Sequence, residues 1–586
     1  MKKVNPKKFL LLCLPFFASA AMLTVIQAPI SLSPLAWISL VPFILSCSPD
    51  SKPKSLTLSA YLVSVCYWLA NIYFIAPITL MGWTTLSLYT ALSWPILALC
   101  LRYSRIKKIP LFLAVPVLFV GAERLRGLFL GGFFWRFLAH SQYTNITIIQ
   151  IADIFGAAGI SFLIAMVNGL LADLIIEARQ KQLLKISSFA KAALVGIALL
   201  ATIFYGRWRI NQSDKFVTDG PLIASLQSNI PQRIKTEALR GEPDIAEKTS
   251  QEIFDELMQK SKAGAEKGAD LIIWPETMVQ ATLNDEILIY LDPNSLSMLF
   301  DKALSEHAAN NAYLLIGAYT GKVGFRNDEP VWAARYNSAI LYRPDGSKYP
   351  KHYSKIHLVL FGEVLPFRNS SPFLFNLLMK FNPYGYDHSL DAGTEYTVYE
   401  MTAPVKNTTP ERQPRPYKFS VIICYEATIP ALVRKFALDH TGKKKIDWLI
   451  NISNDGWFVR FRDEKVLPST ELSQHMAICV FRSVENRLSI VRSVNTGISC
   501  IIDTLGRVKN GYLAGTLPDK AVQRTGIAGW LLDKLPIDKR KTFFSKYGQW
   551  LDFCCALCLV LFIIVTPLAG FIRNKKYVMF SRQRQK

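Results

Sequence analysis

Charge is scarce in this sequence. Only 19% of its 586 residues are charged while 51% are hydrophobic, and the mean hydropathy is +0.22. That balance excludes a disordered chain and is unusual for a soluble enzyme. Negative charge is the scarcer sign: 44 Asp and Glu stand against 67 Lys and Arg, leaving a net charge of +23. Whether such an excess points to nucleic acid or to a membrane depends on where it sits. The ten cysteines include no CxxC pair and no Cys/His cluster with zinc spacing. Cys13, Cys47, Cys66, Cys100, Cys554, Cys555 and Cys558 lie in apolar runs, where a free thiol behaves as a small hydrophobe. A disulfide framework is therefore excluded, and Cys424, Cys479 and Cys500 remain in the polar part. There is no internal repeat and no glycine-rich phosphate loop.

What the chain does have is length of apolar run. Stretches long enough to span a bilayer recur at 9 to 27, 31 to 49, 56 to 77, 79 to 101, 109 to 128, 156 to 177, 189 to 206 and 548 to 572, which predicts eight helices. The basic residues alternate between the connections. Lys2, Lys3, Lys7 and Lys8 precede the first stretch; Lys52 and Lys54 follow the second; Arg102, Arg105, Lys107 and Lys108 follow the fourth. Arg179, Lys181, Lys185 and Lys191 follow the sixth, and Arg573, Lys575, Lys576, Arg582, Arg584 and Lys586 follow the last. The short loops on the other side hold only Arg124, Arg126 and Arg136. By the positive-inside rule both termini face the cytoplasm and the long segment after the seventh helix lies outside. The positive charge is thus topological, which argues against a nucleic-acid role. The start, MKKVNPKKFLLLCLPFFASAA, also has the form of a secretory signal; with seven further stretches behind it, a retained first helix is expected.

Residues 207 to 546 change character, with frequent charge and short β-branched runs between amphipathic stretches. The expected organisation is a bundle over 1–206, an extracytoplasmic domain over 207–546, and a last helix with a basic tail over 547–586. Strands are predicted at 222–227, 270–275, 313–320, 337–343, 418–424, 447–453, 489–494 and 499–503, and helices at 245–266, 429–439 and 470–486. In the first of those helices Ile245, Ile253, Phe254 and Leu257 are expected to share one buried face. Strands interleaved with helices imply a layered α/β domain. The Pro-rich, charged segment 403 to 416 reads as a solvated loop within it.

Three polar groups stand at strand ends or just beyond: Glu276 closes LIIWPE, Lys355 lies in HYSKIHLVLFGE, and Cys424 closes FSVIICYE. Taken singly each has an ordinary structural reading, as a surface acid, a surface cation and a packed thiol. His357, His388 and His475 read as packing or hydrogen-bonding residues, and no Ser/His/Asp or Cys/His set stands out.

Read together, WPE, K-x-H-L-V-x-F-G-E and C-Y-E in this order on an α/β domain resemble the nitrilase superfamily. The resemblance implies an α-β-β-α sandwich in which Glu276 is the general base, Lys355 stabilises the tetrahedral intermediate and Cys424 is the nucleophile. It further implies Glu363 as an additional carboxylate, with Tyr425 and Glu426 in support. With eight spans and the domain between the seventh and eighth, the chain is similar to the apolipoprotein N-acyltransferase family. LQSNIPQ at 226–232, SNDGWF at 453–458, Gln474 with His475, and RSVENRLSIVRSVNTGIS at 482–499 support that narrower likeness. The chain departs from the family pattern at Leu360, Ser228, Phe134 and Val459, and where Ile234, Lys235 and Thr236 follow the NIPQ string without an aromatic residue. What the likeness implies is transfer of an acyl chain from a phospholipid, through a thioester on Cys424, to the terminal amine of diacylglyceryl-cysteine in apolipoproteins. It implies no metal or organic cofactor, and a bacterial inner membrane with the catalytic domain on the periplasmic side. The same triad with water as acceptor would make a membrane-tethered amidase, and a third alternative is a lipid-binding scaffold without catalysis. The run SPFLFNLLMKF at 371–381 is too short to span and too apolar for a solvated loop, and reads as a lid dipping into lipid or as a core-packed helix. Glu123 and GGFFWRF at 131–137 read as head-group contacts or interfacial anchors.

Overall fold

The computed structural model describes residues 6–565 except 128–130, 241, 369, 381–386, 406–412 and 463–464. Lys2, Lys3, residue 381 of the apolar run and the basic tail from Arg573 lie outside the described residues. The chain divides into two compact units, one of 1–73, 83–206 and 549–586, the other of 74–82 and 207–548.

The first unit is helical. Among the described residues three helices are long and apolar enough to cross a membrane: Leu80–Ile106, Ala157–Arg179 and Ile186–Asn211. Shorter apolar helices include Phe9–Val25 and Trp550–Val565. The expected continuous span at 31–49 is instead broken into a 3-10 turn, Ser33–Trp37, and a short helix, Val41–Ser46, each with proline at its first turn. Asn168 satisfies the backbone freed by that break: its side chain accepts from Leu40 N–H at 2.8 Å and donates to Ala36 O at 2.9 Å. In an apolar surrounding such groups need a protein partner, which is why an amide sits in the middle of an otherwise apolar helix. The aromatics at 133–135 are covered by protein and so are not free to act as interfacial anchors. Phe133, Phe134, Trp135 and Arg136 are all buried, Glu123 accepts from Leu138 N–H at 2.7 Å, and Arg126 donates to Trp135 O at 2.7 Å, so this segment folds onto its own unit. The outward surface is carried elsewhere, for instance by Ile186, Phe189, Ile197 and Phe204, all exposed on one long helix.

The second unit is built on two sheets. One runs in the order Ala514–Gly515, Gly529–Asp538, Val217–Gln227, Leu271–Ile273, Tyr313–Arg326, Glu329–Tyr342, Tyr353–Ser354. The other runs Cys500–Ile502, Ser489–Asn495, Trp448–Asn454, Arg415–Ile423, Tyr399–Ala403. Every residue of Trp448–Asn454 and Ser489–Asn495 is buried, as expected of parallel strands covered on both faces. Sheet meets sheet through polar pins as well as apolar packing: Ser225 Oγ donates to Arg492 O at 2.8 Å, and Ser493 Oγ to Leu226 O at 2.8 Å. Helices Pro243–Glu266 and Leu296–Ala308 cover the first sheet, with Phe254 stacked on Phe300 at 4.1 Å. Ile253, Phe254 and Leu257 are buried there, but Ile245 is exposed, because the first turns of the helix overhang a core that begins near Ser250. Helices Pro430–Ala437 and Thr470–Asn486 pack together beside the second sheet.

Candidate active site

Each strand-end residue is delivered by backbone geometry that its sequence permits. Glu276 follows Leu271–Ile273, and its loop lies directly against Gly317 of the neighbouring strand. A Cβ at Gly317 would stand 2.4 Å from Pro275 O and 2.8 Å from Glu276 Cα, so only glycine lets the loop approach. Cys424 follows Arg415–Ile423 and opens a 3-10 turn with φ of 52°, a left-handed conformation that costs about 1–3 kcal/mol for a non-glycine residue. Glu426 holds that turn. Although fully buried, it accepts from Ile423 N–H at 2.7 Å, Ile356 N–H at 2.7 Å, His357 N–H at 3.0 Å and Tyr353 O–H at 2.8 Å. One carboxyl thus ties the cysteine turn to the loop that carries Lys355. Burial pushes its pKa up to about 7 despite those donors.

The structure brings Glu276, Lys355 and Glu363 together. Lys355 Nζ lies 2.8 Å from Glu363 Oε1 and 3.4 Å from Glu276 Oε1, and is 1% exposed. Burial works against its charge, but Glu363, Glu276 and the thiol outweigh it and hold the pKa well above the ordinary lysine value. Asn337, unremarked in the sequence, donates from one Nδ2 to Glu276 Oε1 at 2.7 Å and to Glu363 Oε1 at 3.2 Å. Glu276 Oε2 accepts from Asn454 N–H at 2.8 Å. A carboxylate oxygen has two lone-pair positions, so Oε2, with a single donor among the described residues, is the oxygen best placed to take a proton. Glu363 is steadied further by Val359 N–H at 2.9 Å.

Cys424 is buried beside these groups. Burial first, then the charge of Glu276, push its thiol pKa well up, and Lys355 offsets this only in part. The resting residue is therefore a thiol that needs a base, not a standing thiolate. His357 stacks on Tyr425 with ring centroids 6.1 Å apart, and His388 is half-buried. His475 does more than fill space: Nε2 lies 3.2 Å from Cys424 O, and Nδ1 lies 3.3 Å from both Asp455 and Glu471. Asp455 also pairs with Arg492 at 3.2 Å. Asp455, Glu471 and His475 converge closely enough to hold a metal ion. Their positive charge is already provided by the protein, since Arg492 is paired there and the two carboxylates raise the His475 pKa to about 10 against burial and Arg492. Lys235, three places past the NIPQ string, is also buried in this site, with Nζ 2.9 Å from Thr277 Oγ1. Asn337 belongs to no recognisable string, and Lys235 stood out in the sequence only as one of the residues that follow NIPQ without an aromatic neighbour.

The apolar run forms a helix, Pro372–Met379, capped by Ser371 and with no buried residue. A core-packed helix is thereby ruled out: Phe373, Leu374 and Leu377 all stand exposed.

Comparison with known proteins agrees with this arrangement. Residues 19–170 match the apolipoprotein N-acyltransferase N-terminal domain, and residues 222–517 match carbon-nitrogen hydrolase. A Geobacter metallireducens protein named apolipoprotein N-acyltransferase is 29% identical over 545 residues, covering 89% of this chain and 89% of that one. One of the same name from Chlorobaculum tepidum is 25% identical over 562 residues, covering 93% of this chain and 95% of that one. Another from Shewanella oneidensis is 29% identical over 486 residues, covering 79% and 74%. With the hydrolase match spanning half of its length and the second match preceding it, this chain belongs to the carbon-nitrogen hydrolase family and, within it, to the apolipoprotein N-acyltransferases.

Proposed function

We propose that this protein moves a fatty acyl chain from a phospholipid to the terminal amine of diacylglyceryl-cysteine in apolipoproteins, by two half-reactions through Cys424. The observation that carries the reading is the buried Glu276–Lys355–Cys424 set in a chain whose amino-terminal part matches the acyltransferase domain. In the first half-reaction Glu276 takes the thiol proton and the sulfur attacks the ester carbonyl carbon. Lys355 Nζ and the Tyr425 backbone N–H donate to the oxyanion, each such donor worth about 3 to 4 kcal/mol. The C–O bond breaks, Glu276 returns the proton to the departing alkoxide, and lysophospholipid leaves a thioester behind. In the second the amine attacks the thioester and gives its proton to Glu276. The C–S bond breaks, the proton returns to sulfur, and an amide is released.

The wider reading is a multi-pass enzyme of a bacterial inner membrane, with eight spans, both termini cytoplasmic and residues 207–546 on the periplasmic side. The alternation of basic connections and the apolar helices support it. A membrane-tethered amidase has less support, because a water-soluble amide needs neither the amino-terminal acyltransferase domain nor an exposed apolar helix. The test is mass spectrometry of the purified protein mixed with phospholipid vesicles. An acyl mass is expected on the Cys424 peptide, discharged when a diacylglyceryl-cysteine peptide is added and absent from Cys424→Ala. No adduct, or an adduct discharged only by water, refutes the transferase.

A further inference from the structure

Two carboxylates share the charge of Lys355, which keeps one of its three N–H donors for the oxyanion but leaves the charge on a Cys424 thiolate poorly compensated. A second lysine stands close by. Lys235 is 2% exposed, and its Nζ donates to Thr277 Oγ1 at 2.9 Å, the residue immediately after Glu276. The Asn454 carboxamide lies 3.1 Å from the same nitrogen, while the Asn454 backbone N–H holds Glu276 Oε2 at 2.8 Å. That carboxamide suits either form of the lysine, since its oxygen can accept from an ammonium and its nitrogen can donate to a neutral amine. Both partners are neutral, and no ion pair is recorded for Lys235 among the described residues, unlike Lys355.

We propose that Lys235 is the second cation of the site, a positioning residue whose ammonium charge stabilises the Cys424 thiolate as Glu276 removes the proton. The inference rests on Cys424 being the nucleophile. Glu276, Asp455 and Glu363 push the Cys424 thiol up and Lys355 pulls it down, while Glu276 and the thiol in turn favour the charge on Lys235. Asp455 is balanced by His475 and Arg492, whereas Glu276 and Glu363 share the one charge of Lys355, so a thiolate beside those two carboxylates lacks a counter-charge without a further cation. Burial lowers the Lys235 pKa to about 7, with Glu276 and then Cys424 pulling the other way, so the lysine can change charge as the thiol does. A thiolate beside an ammonium holds as many protons as a thiol beside a neutral amine. Exchange between those two forms is therefore independent of pH.

The test reads the thiol itself, so it does not depend on acyl transfer. The full-length protein in detergent is alkylated with iodoacetamide, and the rate at Cys424 is followed by mass spectrometry of its peptide from pH 6 to pH 9. In the wild-type protein the rate is expected to rise to about pH 7 and then level off. In Lys235→Met, which matches the stem in length, and in Lys235→Gln, which keeps hydrogen bonding but not charge, the rate should rise about tenfold per pH unit throughout. At pH 7 both variants should react about tenfold or more slowly than wild type. A wild-type rate that climbs steadily through the range overturns the proposal, as does a Gln variant with the wild-type plateau, which would mean that only the hydrogen bonds matter. Normal alkylation behaviour together with a failed thioester assay would count against the acyltransferase reading and not against this one.

Discussion

The helix Pro372–Met379 offers a direct way to separate use of a membrane lipid from use of a soluble substrate. Phe373, Leu374 and Leu377 are exposed by 77%, 36% and 42%, about one and a half large side chains of apolar surface left in water. At roughly 1.5 to 3 kcal/mol per fully buried side chain, seating them in lipid is worth about 2 to 5 kcal/mol. Replacing all three with Gln keeps good helix formers and leaves the Ser371 cap intact. Because no residue of the helix is buried, unfolding stability should change by no more than about 1 kcal/mol. Thioester formation on Cys424 from phospholipid vesicles should fall by about 30-fold or more, the factor that 2 kcal/mol represents. Alkylation of Cys424 by iodoacetamide should be unchanged, because a small soluble reagent needs no lipid contact. Full thioester formation in the triple variant would refute the lid. A collapse in melting temperature would refute the claim that this helix lies outside the packed core.

Glu276→Gln preserves volume but not basicity, and should slow thioester formation by about 10²- to 10⁴-fold with ordinary thermal stability; normal turnover would remove Glu276 from the mechanism. Gly317→Ala places a Cβ 2.4 Å from Pro275 O, so the Glu276 loop must shift. The expected cost is about 1 to 3 kcal/mol in denaturant unfolding, with an activity loss larger than the unfolded fraction explains, and a fully active, equally stable alanine variant would contradict it. His475 has a folded pKa of about 10, raised above an unfolded value near 6.5. Its contribution to stability is therefore complete below pH 6.5 and lost as pH rises through 10. The stability gap between wild type and His475→Gln should accordingly narrow from pH 6.5 to pH 10, and a constant gap would show that the imidazolium is not what holds the Cys424 carbonyl.

Part of this protein was readable one residue at a time. Periodicity alone placed helix 470–486 and the strands around 448–454 and 489–495, because buried parallel strands must be continuously apolar and their covering helices amphipathic. Glu276, Lys355 and Cys424 each had an ordinary structural reading when taken singly, and stood out only because WPE, K-x-H-L-V-x-F-G-E and C-Y-E together resemble the nitrilase superfamily. Local pattern was weaker where a distant group decides the outcome. The apolar run at 31–49 is broken because Asn168, more than a hundred residues away, can satisfy its backbone, and the aromatic segment at 133–136 turned out buried because its own unit could cover it. Helix 372–379 was ambiguous until burial was known, since composition cannot distinguish an apolar face that finds protein from one that does not. The groups that tune the site, Asn337, Asn454, Lys235 and His475, act through distance and burial. Those quantities exist only when strands far apart in sequence lie side by side, so the tertiary structure alone decided which carboxylate oxygen is left open, why the resting cysteine is a thiol, and which second lysine is near enough to change that.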